Sequence, residues 1–150
     1  MKRIIVGTDG SEHAQKAVDW AVEQARLQGA ALEIVNVYSA INIRDLSLSA
    51  DAATPAQFDI IRDRIDAVRE EADAAMKRLV DQIRADNAGL EVSGVASEDG
   101  RPAEALVERS RDADLVVVGS RGRGGFTGLV LGSVSQQVAA HAACPVVIVH

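Results

Sequence analysis

Gly119, Gly122, Gly124, Gly125 and Gly128 crowd one short segment, and Gly132-Ser133 follows directly. The segment sits behind the apolar run Leu115-Val116-Val117-Val118 and ahead of a helical pattern. Glycines let backbone N–H groups converge and let a ligand come close. A helix start adds unpaired N–H donors and partial positive charge. Together these are the parts of a phosphate seat, and Arg121 and Arg123 add cations for charge-assisted contacts.

Two common phosphate loops are excluded by spacing. A Walker A loop needs G-x-x-x-x-G-K-[ST], and this segment has no lysine. A dinucleotide fingerprint needs G-x-G-x-x-G after the first strand. Here the glycines come late in the chain, and Thr127 stands where the third glycine belongs. What remains is Gly119-x-x-Gly122, nine residues, then Gly132-Ser133.

Other chemistry is poorly supported. Ser11 reads as a helix cap, with no histidine and acid pair evident around it for nucleophilic catalysis. His13, His141 and His150 are scattered without zinc spacing, and Cys144 is the one cysteine. Cys144 therefore reads as a small packed side chain, with a redox role as the weaker alternative. No catalytic group and no metal site is assigned, beyond Asp9 as a possible partner of Mg²⁺ bound to phosphates.

The elements that must position the loop follow from periodicity. Ile4-Ile5-Val6 is a short β-branched run, as expected of a strand buried on both faces. The turn Gly7-Thr8-Asp9-Gly10-Ser11 leads to a helix marked by Ala14, Ala17, Val18, Ala21, Val22 and Ala25, which Gly29 stops. Trp20 lies off that stripe and is expected to be exposed or to meet a partner. Ala31–Val37 is the second strand, and residues 38–55 form a long loop without clear period.

An apolar stripe returns at Phe58, Ile61, Ile65, Val68, Ala72, Met76, Leu79 and Ile83 and ends near Gly89. This helix would run roughly 40 Å, longer than a small sheet needs. It is expected to break near its start or to project. Its near-heptad spacing makes a coiled coil the rival reading, but its place between strands favours packing on a sheet. Leu90–Ala96, Leu115–Val118 and Pro145–Val149 complete the strands. Pro102 opens a short helix and Ser133–Ala143 forms the last one.

The resulting β-α-β-α-β-α-β-α-β order predicts an α/β fold. It is a doubly wound, Rossmann-like, five-stranded parallel sheet with helices on both faces, within one domain over 1–150. Ligands in such folds sit beyond the carboxyl ends of the strands, where strand order reverses.

Composition agrees. The chain has 150 residues, 47% of them apolar but only 3% aromatic, so the core is built from Val, Ile, Leu and Ala. A net charge of −6 argues against nucleic acid as a partner. No apolar run reaches membrane-spanning length, and the apolar stretch before Asp9 is too short for a secretory signal. A cytoplasmic protein with neither membrane nor nucleic-acid partner is expected.

The Gly119, Gly122, Gly132-Ser133 spacing resembles the G-x2-G-x9-G-[ST] signature of the universal stress protein family, ATP-binding type. Ile4–Ser11, Gly100–Ala103 and Cys144–Val149 resemble that family's opening, third-strand turn and closing strand. The resemblance implies an adenine nucleotide hydrolase-like fold that binds ATP. Asp9 would contact the adenosine, Val37 would line the base pocket, and Val118 would cover the base from the other side. Backbone groups of Gly119, Gly122 and Gly132 with the Ser133 hydroxyl would hold phosphates. Gly7 and Thr8 beside Asp9, and Val134 after Ser133, complete the expected site, with Arg121 and Arg123.

The resemblance also implies a homodimer through the last strand, residues 146–149. If that strand is an edge, pairing with its copy would cover it. The expected role is a stress-response regulator or nucleotide sensor with at most slow hydrolysis, because nothing evident orients water or stabilises developing charge. The alternatives are a binder of AMP or cyclic AMP, an ATP-dependent enzyme, and a partner-binding module on the same fold.

Overall fold

Ile4, Ile5 and Val6 are fully buried, and the strand they form is the centre of the sheet. The structure, a computed structural model, describes residues 2–38, 54–122 and 131–150. The elements are β1 (Arg3–Gly7), α1 (Glu12–Gln28), β2 (Ala31–Val37), α2 (Pro55–Asp86), β3 (Val92–Ser97), α3 (Pro102–Arg109), β4 (Leu115–Gly119), α4 (Ser133–His141) and β5 (Val146–Val149). A 3-10 turn at Ser110–Asp112 joins α3 to β4.

The sheet is five-stranded and parallel, in the order β3-β2-β1-β4-β5. The register sets Ile4 beside both Leu32 and Leu115. The chain winds outward from β1 through β2 to β3, then crosses back to β4 and β5. The order therefore reverses between β1 and β4, and a crevice opens there at the carboxyl edge. Among the described residues β5 pairs with β4 alone and is an edge strand.

Alternate strand residues feed two cores. Ile4, Val6, Leu32, Ile34 and Val117 meet α1 and α2 through Ala17, Ala21, Ala25, Met76, Val80 and Ile83. Ile5, Val35, Val116 and Val118 meet α3 and α4 through Ala103, Leu106 and Val138. The alanines of α1 are small enough to let that helix lie close on the sheet. Trp20, expected to be exposed or partner-facing, instead packs partly buried against the first of these cores.

Local signals act as their chemistry dictates. The Ser11 hydroxyl accepts from the Ala14 N–H at 3.2 Å and caps α1. Gly29 ends that helix at φ 60°, a conformation that favours glycine. Pro102 stands in the first turn of α3.

Several boundaries differ from expectation. Pro55 belongs to α2 and not to the preceding loop, because Thr54 and Gln57 form a reciprocal capping box. The rest of the 38–55 stretch, apart from Tyr38 and Thr54, lies outside the described residues. β3 begins at Val92, since the Leu90 N–H is used by the turn to Asn87. α4 ends at His141, where Ala142 turns extended. Helix α2 is continuous over 32 residues, so it projects instead of breaking.

One charge inside the sheet was not foreseen. Glu33 on β2 is 7% exposed. Arg3 Nη2 donates to its Oε2 at 2.5 Å, and Arg109 Nε lies 3.4 Å from its Oε1, within ion-pair reach but without hydrogen-bond geometry. A carboxylate so placed is tolerable only with these cations beside it.

Asp114 ties the start of β1 to β4. Its Oδ2 accepts from the Lys2 N–H at 2.6 Å and the Arg3 N–H at 2.9 Å, and these two bonds hold its pKa below the ordinary carboxylate value. A depressed native pKa adds stability that is complete above the unfolded value and is lost as pH falls through the folded one. Asp114→Asn is therefore expected to lower the urea midpoint at neutral pH. The gap to wild type should close at pH values below the depressed pKa, and a constant gap across the acid range would contradict the assignment.

Candidate functional site

The carboxyl ends of β1, β2 and β4 and the start of α4 enclose a cleft of about 490 Å³. Its walls include Gly7, Thr8, Asp9, Val37, Val118, Gly119, Arg121, Gly122, Gly132, Ser133 and Val134. Every residue expected at the site thus converges here except Arg123, which lies outside the described residues. The wall also uses Ala14, Val35, Pro102, Leu106, Leu131 and Ser135, which were not singled out from sequence. Ala14 had shown only helix-face periodicity, and nothing in its own segment says that it meets a cleft.

The cleft has two chemically distinct ends. Val35, Val37, Pro102, Leu106 and Val118 make an apolar slot, four of them in the second core. The other end is backbone and small side chains. The Gly132 N–H donates to the Ser120 carbonyl at 2.7 Å, and the Ser135 hydroxyl shares its one proton between Ser120 O at 3.1 Å and Gly132 O at 2.9 Å. These bonds cinch the base of the glycine loop. Buried Ser120 and Ser135 were the signal that sequence reasoning passed over.

Gly132 is the N-cap of α4, so no side chain caps that helix. The first N–H with an intrahelical acceptor is that of Gln136, which bonds Gly132 O. The N–H groups of Ser133, Val134 and Ser135 precede it in the first turn, where a helix has donors without intrahelical partners. A Ser or Asp at position 132 would occupy these donors itself. Glycine there leaves them to an anion, beside the Ser133 hydroxyl.

The glycines of the motif are not there for unusual backbone angles. Among the described residues, positive φ occurs at Gly10, Gly29, Gly89 and Gly100 only. At Gly119 a Cβ would come within 2.8 Å of the His13 carbonyl oxygen, so its absence lets α1 approach β4. At Gly122 a Cβ would lie 2.5 Å from Asp9 Oδ2. Asp9 is held by its own turn, its Oδ1 accepting from the Ser11 N–H at 2.9 Å. The β1 turn and the glycine loop therefore meet through Asp9 and Gly122 across the mouth of the cleft.

Besides Asp114, Cys144 and Tyr38 outside the cleft are also shifted. Burial pushes the Cys144 thiol up, with Asp114 adding to the effect, so the thiolate needed for redox chemistry is disfavoured. Burial, then Glu98 and Asp73, raise the Tyr38 phenol. No cluster of His, Cys, Asp and Glu suited to a metal occurs among the described residues. No helix among them is long and apolar enough to cross a membrane.

Fold and cleft together define a doubly wound α/β protein with its cleft at the switch point of the sheet. A sequence model of the universal stress protein family matches residues 1–150, and the chain belongs to that family. A universal stress protein of Thermus aquaticus, encoded beside a sulfhydrylase gene, is 34% identical over 99% of this chain and 98% of its own. The chain spans about half the length of its mycobacterial relatives, covering 44% of the Mycobacterium tuberculosis H37Rv protein that is 34% identical.

Among solved structures, UspA from Lactobacillus plantarum superposes with a TM-score of 0.78 at 24% identity, covering 99% of this chain and 97% of its own. A universal stress protein crystallised in complex with cAMP is 31% identical, with a TM-score of 0.56 over 99% of this chain and 96% of its own.

Proposed function

We propose that the cleft binds ATP and that the protein is a stress-linked nucleotide sensor or regulator acting in the cytoplasm. The observation that carries this reading is the join of an apolar slot to an uncapped helix start within one cleft. The slot takes the base between Val37 and Val118. Gly119, Gly122, Gly132 and Ser133 take the phosphates, with Arg121 and Arg123 as cations and Gly7, Thr8 and Val134 as flanking contacts. Asp9 faces the adenosine. Its carboxylate stands beside Gly122, so it also fits a Mg²⁺ carried by the phosphates.

Holding ATP is favoured over consuming it. Arg121 is the one cationic side chain among the described residues lining the cleft, and Asp9 the one carboxylate. Neither is built as a base that would orient water, and at most slow hydrolysis is expected. The relative solved with cAMP favours a second reading, in which a cyclic or monophosphate adenine nucleotide is the physiological ligand. β5 is an edge strand of four apolar residues, which supports a single-domain homodimer paired through residues 146–149. A membrane or nucleic acid is not part of the proposal.

Calorimetry on freshly desalted protein tests the reading. Mg-ATP is expected to bind with 1:1 stoichiometry, and competition by AMP and cAMP ranks the ligands. Absence of binding by all three would overturn it.

A further inference from the structure

Helix α2 outruns the sheet. Its 32 residues span about 48 Å, yet Met76, Val80 and Ile83, its buried residues, all lie in the C-terminal half. At its middle, Arg69 Nε and Nη2 donate to Glu98 Oε2 at 3.1 and 2.8 Å, fastening the helix to the turn after β3. Because α2 runs against the strands, the turns before Arg69 stand beyond their carboxyl edge.

The apolar stripe does not stop there. Phe58, Ile61, Ile65 and Val68 follow at alternating steps of three and four, the seam of a helix pair. Phe58 is 54% exposed and Val68 37%, with Ile61 and Ile65 half-buried. Arg62 and Arg64 border the seam, one on each side. Arg62 has Asp59 and Asp66 within one helical turn but pairs with neither, and Asp66 is taken by Arg69. Arg64 likewise has no ion pair among the described residues.

The flanking charges decide the occupant. In a parallel pair of copies Arg64 would face the Arg69 position of its mate. In an antiparallel pair centred on the Phe58–Val68 seam Arg64 would face Arg64, and Arg62 would face Arg62 or Arg69, while Glu71, already paired with Arg78, would fall opposite Gln57. Like charges there oppose self-pairing. We infer that this arm docks an amphipathic helix of a different protein, whose apolar seam is bordered by Asp or Glu. The seam supplies contact area and the arginines supply register and choice of partner.

Two helical peptides with the same leucine seam, one bordered by Glu and the other by Lys, test this against the full-length protein by fluorescence anisotropy. The Glu peptide is expected to bind about tenfold more tightly, with the advantage shrinking in high salt. Arg62→Glu with Arg64→Glu should reverse the preference. Phe58→Ser with Val68→Ser should weaken the Glu peptide by about tenfold while leaving the thermal midpoint and nucleotide binding unchanged, since all four side chains lie outside both cores. Equal affinity for the two peptides, or binding of neither, would overturn the inference. So would a wild-type assembly in sedimentation that Phe58→Ser with Val68→Ser dissolves, because the occupant would then be a second copy.

Discussion

Gly122→Val is expected to abolish ATP binding, lowering affinity by at least about a hundredfold. The new Cβ would stand 2.5 Å from Asp9 Oδ2, and the branched methyls would extend from the loop at the mouth of the cleft. Asp9 has little room to yield, because its Oδ1 is held by the Ser11 N–H. Both residues lie in turns at the carboxyl edge and outside both cores, so the thermal midpoint should change by no more than about 2 °C. Calorimetry with Mg-ATP beside a melting curve reads both effects. Retained affinity would place the phosphates elsewhere, and a large fall in midpoint would mean that the loop supports the fold.

Gly119→Ala is expected to act on stability. Its Cβ would lie 2.8 Å from the His13 carbonyl oxygen and 2.9 Å from the carbonyl carbon. These are backbone atoms in the first turn of α1, so no side-chain rotation relieves the contact. α1 must lift from β4 where Ala14 lies against Gly119 and Ala17 shares a core with Val117. Overpacking of this kind costs about 2 kcal/mol, and for a chain of this length lowers the thermal midpoint by about 6 °C. Urea denaturation gives the free energy directly. A midpoint within about 1 °C of wild type would show that α1 adapts and that the glycine is needed only at the cleft.

The pair of predictions separates two duties within one motif. Gly119 is required chiefly by a neighbouring helix, Gly122 by the open mouth of the cleft. Gly132 is different again, since a Cβ there would meet nothing nearer than 3.5 Å. Its value lies in not being a capping residue. A spacing pattern shows that glycine stands at three places but cannot say that the three have different reasons.

Much of the architecture was determined locally. The β-branched runs at Ile4–Val6 and Leu115–Val118, the Ser11 cap, the Gly29 stop and the Pro102 start each depend on neighbours a few residues away, and periodicity displays such dependence directly. The alternation of strands and helices then left a parallel sheet as the natural outcome. The Thr54–Gln57 capping box was equally local, with Pro55 at the first helical position behind it.

Tertiary structure decided what depends on distant contacts. Nothing in β1 or β4 states that they are neighbours, yet their adjacency makes the cleft. Glu33 stands in a strand between buried Leu32 and Ile34, and its position is sustained by Arg3 and Arg109, which are remote in sequence. The stripe of α2 is continuous in sequence, but β3 covers only its C-terminal half. The amino-acid sequence by itself determined the elements and the chemistry of the glycine segment, because hydrogen bonding and periodicity are short-range. Which glycine stands against a helix, which stands at a cleft and which apolar face the described residues leave uncovered were settled only when the sheet assembled and brought distant residues together.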